Sequence, residues 1–250
     1  VEHIGGSSLE VIVHVHSENV ITGETKLITV ADLAFVAIDK NAKPRNLNLK
    51  LDFTTKKDEK IIASAEKRKV KRIPEIKKRK ELVMNAVDET ENTRFNLKTT
   101  RLVLPEDAFY GNFMSVGKLL KYIDESASIL AKRYTKGVLV TGSLDDLYFY
   151  SPIHVGEVIE FKAGVTHVGN TTLEIAIKVD SQNLRTGRFS HTCTAFLTFI
   201  NIGDDKKPKK VPEITPETPY EIRLWKDAEK RKETRNRRLR RSQKLINKKK

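Results

Sequence analysis

Val165-Thr166-His167-Val168-Gly169-Asn170-Thr171-Thr172-Leu173-Glu174 reads as the end of one strand, a turn and the start of another. The same message stands at the front of the chain. Val1-Glu2-His3-Ile4-Gly5 aligns with Val165 to Gly169, and Ser7-Ser8-Leu9-Glu10 with Thr171 to Glu174, at an offset of 164. Ser17-Glu18-Asn19-Val20 then aligns with Ser181-Gln182-Asn183-Leu184, Thr22-Gly23 with Thr186-Gly187, and Ala31 and Phe35 with Ala195 and Phe199. About a third of the first 40 positions are identical without a gap. Further along, Ala65-Glu66-Lys67-Arg68-Lys69 recurs as Ala228-Glu229-Lys230-Arg231-Lys232 at an offset of 163. An offset sustained over this length marks a tandem duplication. The second copy begins near Arg94, about 70 residues before Val165, so the first copy is expected to lack its front half.

The second copy gives the topology of one unit. Asn96 to Leu104 has a strand's composition and stops at Pro105. Val116, Leu119, Leu120, Ile123, Ala127, Leu130, Ala131 and Tyr134 then fall at helical spacing, closed by Gly137. Four strand-like runs follow, Val138 to Tyr150, Glu157 to His167, Thr172 to Leu184 and Arg188 to Ile202, separated by turn residues. Leu173, Ile175, Ile177 and Val179 alternate as in a sheet with one buried face. A long central helix wrapped by an antiparallel sheet is an α+β roll.

Charge is distributed unevenly. The net charge is +14, yet 56–80 carries 12 basic and 4 acidic residues and 220–250 carries 14 and 4. These segments contribute +8 and +10, which leaves the remainder at −4. The basic character therefore belongs to two appended segments, both expected to be solvated helices packed along one edge, with nucleic-acid binding not expected. Tyr220 and Trp225 are the only aromatics in them, too few for base stacking. No run of about 18 apolar residues occurs, so no membrane-spanning helix is expected. The single cysteine, Cys193, excludes an intramolecular disulfide and a cysteine-based zinc site and fits a reducing compartment. The chain opens on Val1 with no charged-then-apolar leader, as a processed or truncated start does. A cytoplasmic location is expected, with an organelle left open.

Motifs narrow the chemistry. Phe113 stands where a G-x-S-x-G elbow around Ser115 would need its first glycine. No H-E-x-x-H, Walker or dinucleotide motif occurs, and no metal site is expected. Cys193, with His191 two positions away on the same face, reads as a small buried apolar side chain. Asp107 lies a few residues before the central helix, where N–H groups point outward and the dipole is positive. It either caps a turn or orients a water. Asp124 and Glu125, on the helix, read as structural or interface residues.

Arg101-Leu102-Val103-Leu104-Pro105-Glu106-Asp107-Ala108 and Gly117-Lys118-Leu119-Leu120-Lys121-Tyr122-Ile123-Asp124-Glu125 resemble the strand, loop and central helix of hotdog-fold acyl-CoA hydrolases. So do Tyr148 to Glu157 and Val168 to Glu174, and the tandem arrangement resembles the two-domain cytosolic long-chain acyl-CoA thioesterases. The resemblance implies an incomplete first hotdog domain at 1–52, a charged helical linker at 53–93, a complete second domain at 94–204 and a basic helical tail at 205–250. It implies hydrolysis of fatty acyl-CoA to fatty acid and coenzyme A, with no cofactor and with a homo-oligomer formed by hotdog pairing; the alternative is a non-catalytic acyl-CoA binder or scaffold. Asp107 would be the catalytic carboxylate, paired with an asparagine from the first unit's loop. Amides near Val116 and Gly117 would receive the thioester carbonyl. Val116 and Lys118, together with the turn Gly169-Asn170-Thr171-Thr172, would bind substrate, the turn taking the pyrophosphate. Family members often carry Asp-Ala-Asn in this loop and Gly-Gly at the helix start. Asp107-Ala108-Phe109 and Val116-Gly117 depart from both, and the chain by itself is expected to be a weak catalyst.

Overall fold

The structure is a computed structural model that describes residues 1–39, 43–49, 55, 62–70, 74, 92–145 and 147–247, with side chains in the last stretch described to 240. The chain divides into two compact units, 1–79 with 239–250, and 80–238.

In the second unit, β4 (Asn96–Leu102), β7 (Val138–Leu144), β8 (Val158–Val168), β9 (Thr172–Gln182) and β10 (Phe189–Ile202) form an antiparallel sheet in the order β4-β8-β9-β10-β7. Between β4 and β7 come a 3-10 turn (Pro105–Asp107), the short pair β5 (Ala108–Tyr110) and β6 (Phe113–Met114), and the helix α2 (Val116–Thr135). α2 buries Leu119, Ile123, Ala127, Leu130 and Ala131 against the sheet face that carries Leu173, Ile175, Ile177 and Val179, none of these four exposed. Each Leu, Ile and Val among them contributes about 1.5–3 kcal/mol on burial, so this one stripe fixes the helix on the sheet.

Three details depart from the sequence pattern. Val116 is 49% exposed, while Tyr122 and Ser126 are buried instead, because both polar groups find partners inside. The helix is closed by Lys136 in the left-handed conformation, φ 52°, whose N–H bonds Lys132 O. Gly137 serves packing: a Cβ there would lie 2.5 Å from Asn201 Oδ1. β7 ends at Leu144, not Tyr150, although Asp145 N–H still bonds Phe196 O at 3.0 Å while its carboxylate meets Arg235 at 2.8 Å.

Beyond 204 the chain returns to the same sheet. α3 (Pro219–Asn247) buries Leu224 and Ala228 on the face opposite α2 and stacks Trp225 on His167 at 4.5 Å. Glu174, 2% exposed, receives Arg231 at 2.7 Å and Arg235 at 3.3 Å. Among the described residues no helix is long and apolar enough to cross a membrane.

The first unit holds β1 (His3–Ile4), β2 (Ser8–Glu18), β3 (Thr25–Val36) and a helix, α1, at 62–70. Its hairpin repeats β9–β10 bond for bond. Gly23 and Gly187 turn at φ 69° and 70°, as only glycine does readily, and Asn19 and Asn183 each accept two backbone N–H groups in the turn. The bulge that leaves Ile28 unpaired recurs at Thr192, 164 positions on. Arg68 bonds Glu10 as Arg231 bonds Glu174. This hairpin is paired along its length, but its apolar face is bare. Val15, Leu33 and Phe35 are 42%, 39% and 51% exposed, whereas their counterparts Val179, Leu197 and Phe199 are 0%, 2% and 1%.

Candidate active site

Asp107 lies at the end of the 3-10 turn and is fully buried, at 0% exposure. Its Oδ1 accepts the Tyr122 hydroxyl at 2.5 Å and its Oδ2 accepts Leu104 N–H at 3.1 Å. Burial alone would push this carboxyl up; the bonds from Tyr122 and Leu104 and the charges of Arg101 and Lys118 outweigh it and hold it below the ordinary aspartate value. The structure thus gives Asp107 the surroundings of a capping residue, closed to a substrate water.

Asp124 is differently placed. It lies midway along α2, half-buried, with Oδ1 accepting the Thr141 hydroxyl at 2.7 Å. Thr141 belongs to β7, one of the two edge strands of the sheet. Glu125, its neighbour, is exposed and pairs with Lys121 at 3.6 Å.

At the α2 N-terminus, Val116, Gly117 and Lys118 are exposed. Helix geometry leaves the first-turn amides without intrahelical partners, and no acidic residue in that turn offsets the dipole. A Cβ at Gly117 would meet only Ser115 Oγ at 3.7 Å, so the glycine leaves open space over the backbone. Gly117 and Asp124 are seven residues apart on one helix face, about 10 Å along the axis at 1.5 Å per residue.

The turn Gly169-Asn170-Thr171-Thr172 is closed by Gly169 N–H to Thr172 O at 2.8 Å. The carbonyls of Asn170 and Thr171 accept Val211 and Asn201 N–H. Lys232 of α3, which the sequence did not suggest, brings its ammonium within 3.9 Å of where a Gly169 Cβ would stand. Register connects the turn to Asp124. Thr141 pairs with Phe199 and Phe199 with Leu173, so Thr141 and the residue beside Thr172 lie two strands apart, about 10 Å at the usual strand spacing.

Cys193 is fully buried, and burial, then the charge of Asp180, pushes its thiol far above the ordinary range. The bulge at Thr192 breaks the alternation that would have put His191 beside it, and His191 Nδ1 instead meets Asp180 at 2.8 Å. Tyr122 and Thr141 were missed because each matters only through a residue distant in sequence. Among the described residues no group of three His, Cys, Asp or Glu side chains could hold a metal.

Comparisons with known proteins identify the family. Residues 111–187 match the Thioesterase superfamily. An uncharacterized acyl-CoA thioester hydrolase of Bacillus subtilis, YkhA, is 39% identical over 164 residues, 64% of this chain and 95% of that protein. The cytosolic acyl coenzyme A thioester hydrolase of Mus musculus is 28% identical over 230 residues, 90% of this chain but 60% of that protein. The crystal structure of an apo-hexameric acyl-CoA thioesterase is 40% identical with a TM-score of 0.55, covering 58% of this chain and 94% of that one. The acyl-CoA hydrolase of Staphylococcus aureus in complex with butyryl coenzyme A, coenzyme A and coenzyme A disulfide is 29% identical with a TM-score of 0.56, covering 60% and 92%. Further structures of that hydrolase carry alanine in place of an asparagine, an aspartate or a threonine. Its aspartate and threonine are 17 positions apart, as Asp124 and Thr141 are. Its asparagine lies 15 positions before the aspartate, where this chain has Phe109. By identity over nearly the whole of a bacterial relative and by fold, the chain belongs to the hotdog-fold acyl-CoA thioester hydrolases of the thioesterase superfamily.

Proposed function

We propose that the protein hydrolyses acyl-CoA thioesters with Asp124, rather than Asp107, orienting the attacking water. The observation that carries this reading is the half-buried Asp124 carboxylate, fixed through one oxygen by Thr141 at 2.7 Å while Asp107 is sealed. With Oδ1 occupied by Thr141, Oδ2 is the oxygen that accepts a proton from water as it attacks the thioester carbonyl. The carbonyl oxygen becomes negative and needs donors already in place. First-turn amides at Val116 and Gly117 have that character, but those of the same helix are about 10 Å from Asp124, against a reacting distance of about 3–3.5 Å. The donors that serve Asp124 therefore come from a paired hotdog unit. The tetrahedral adduct collapses by breaking the C–S bond. The coenzyme A sulfur takes the proton, and water's oxygen remains in the carboxylic acid.

No cofactor enters this scheme, since coenzyme A is part of the substrate. The Gly169–Thr172 turn with Lys232 suits its anionic end, and a pantetheine arm spans the two strands between the turn and Thr141. Phe109 removes an amide donor from the loop before α2, which favours slow turnover and gives a second reading, an acyl-CoA binder without turnover, its one specific support. Thiol release from butyryl- and palmitoyl-CoA by the full chain separates them. Release that is lost in Asp124→Asn supports hydrolysis. Retained acyl-CoA binding with no release from the unaltered chain supports the binder.

A further inference from the structure

Asp107 is a buried carboxylate that the hydrolysis scheme leaves unused, and four hydrogen bonds meet there. Its carboxylate takes the Tyr122 hydroxyl at 2.5 Å and Leu104 N–H at 3.1 Å. Its own N–H donates to Leu104 O at 2.9 Å, and its carbonyl accepts Ser115 N–H at 2.7 Å. Leu104 follows β4, Ser115 is the N-cap of α2, and Tyr122 lies two turns into that helix. Asp107 is thus the one residue that touches both ends of the 105–115 segment and the body of the helix. The Arg101 guanidinium lies 3.8 Å over the Tyr122 ring, which covers the phenol and adds positive charge beside the carboxylate.

The segment so closed carries Phe109 and Tyr110 at its tip, 84% and 79% exposed, and delivers the chain into the first turn of α2. Its second arm is also tied to 153–155, by Met114 N–H to Ile153 O at 2.9 Å, Val155 N–H to Asn112 O at 3.0 Å and the Phe113 ring 5.0 Å from His154. β5 and β6 pair over only two registers, and Ser115 makes no side-chain cap bond. The direction of the Val116 and Gly117 amides depends on what anchors Ser115; Met114 before it is held by Ile153, and the N–H of Ser115 itself is held by the Asp107 carbonyl.

We propose that Asp107 is a positioning residue for thioester hydrolysis: through Ser115 and Tyr122 it sets the first-turn amides of α2 where the developing oxyanion requires them. This rests on the reading that the protein hydrolyses acyl-CoA with Asp124 as base. The chemistry of the site fits the role. A carboxylate accepts from two donors at once, one on each oxygen. An asparagine at 107 would accept from only one and turn its NH₂ toward the other donor. A phenylalanine at 122 would leave one carboxylate oxygen without its donor in a sealed site.

Steady-state thiol release by the full chain, with palmitoyl-CoA as probe, tests this in Asp107→Asn, Tyr122→Phe and the double variant, each corrected for folded fraction by circular dichroism. Displaced amides lower kcat about tenfold to a hundredfold in each single variant. KM should stay within a factor of about two, because the loss is confined to the transition state. The double variant should fall no further than the worse single one, since both break the same link. Unchanged kcat per folded molecule with lower melting temperatures makes the link merely structural and overturns the proposal. Complete loss in Asp107→Asn with normal turnover in Tyr122→Phe makes Asp107 the base and also overturns it. An unaltered chain that releases no thiol is a different failure, of the hydrolase reading itself, and this proposal falls with it.

Discussion

A carboxylate can activate water only where water reaches it, and on that criterion Asp107 and Asp124 part company. Sequence placed Asp107 correctly, just ahead of a helix, but a residue ahead of a helix can cap or catalyse, and only burial separates the two. Asp124 was visible as an acid on the central helix and was read as structural, because nothing local connects it to Thr141. The strand that brings Thr141 to it begins after the helix ends. If Thr141 fixes the base, Thr141→Val should lower kcat about tenfold to a hundredfold with little change in KM, as loss of an orienting hydrogen bond does. Steady-state kinetics would show this, and an unchanged kcat would remove Thr141 from the mechanism. Gly137 was read as a helix stop; its function is to admit Asn201. Gly137→Ala should cost about 1–3 kcal/mol by overpacking, measurable by urea unfolding.

At the level of elements, the sequence pattern located α2 and the five strands of the main sheet of the second unit, but not the short pair β5 and β6. What periodicity could not give is where α3 goes. Its pattern is dominated by charge, and it docks through charges that lose solvent together: Glu174 with Arg231 and Arg235, and Asp145 with Arg235. Replacing Glu174 by Gln should leave the Arg231 guanidinium without its carboxylate and Arg235 with Asp145 alone, and cost about 3–5 kcal/mol, read from chemical denaturation. His167 adds a pH dependence. Burial first, then the charge of Lys232, pushes its imidazole below the ordinary value of about 6.5, while Glu174 and Glu229 pull the other way and Arg235 adds to the depression. The unfolded chain then takes up the proton first. His167 therefore contributes stability that is present above about pH 6.5 and is lost as pH falls through the lower folded value. Trp225 emission should report α3 loosening over that acidic window, and His167→Gln should abolish this component.

For the whole molecule, the duplication was legible because both copies keep the same hairpin, down to the bulge at Ile28 and Thr192. Less legible was what completes a site. β7 is an edge strand, with Val138, Val140 and Leu144 exposed at 64%, 47% and 42%, beside the Thr141 that holds Asp124. An apolar strand edge of this kind is a template for another strand, and the proposed mechanism, with about 10 Å along α2, calls for donors from another unit. Val140→Lys should therefore reduce assembly and turnover together, by sedimentation and thiol release on the same sample. Loss of assembly with full turnover would contradict the paired-unit site.

The central claim is that Asp124 is the carboxylate that activates water, and thiol release by Asp124→Asn and Asp107→Asn, measured side by side on acyl-CoA, tests it most directly. Asp124→Asn should lose about a thousandfold or more in kcat, the upper part of what a general base supplies, and Asp107→Asn should lose at least about tenfold less. Normal turnover in Asp124→Asn, with none in Asp107→Asn, would contradict it.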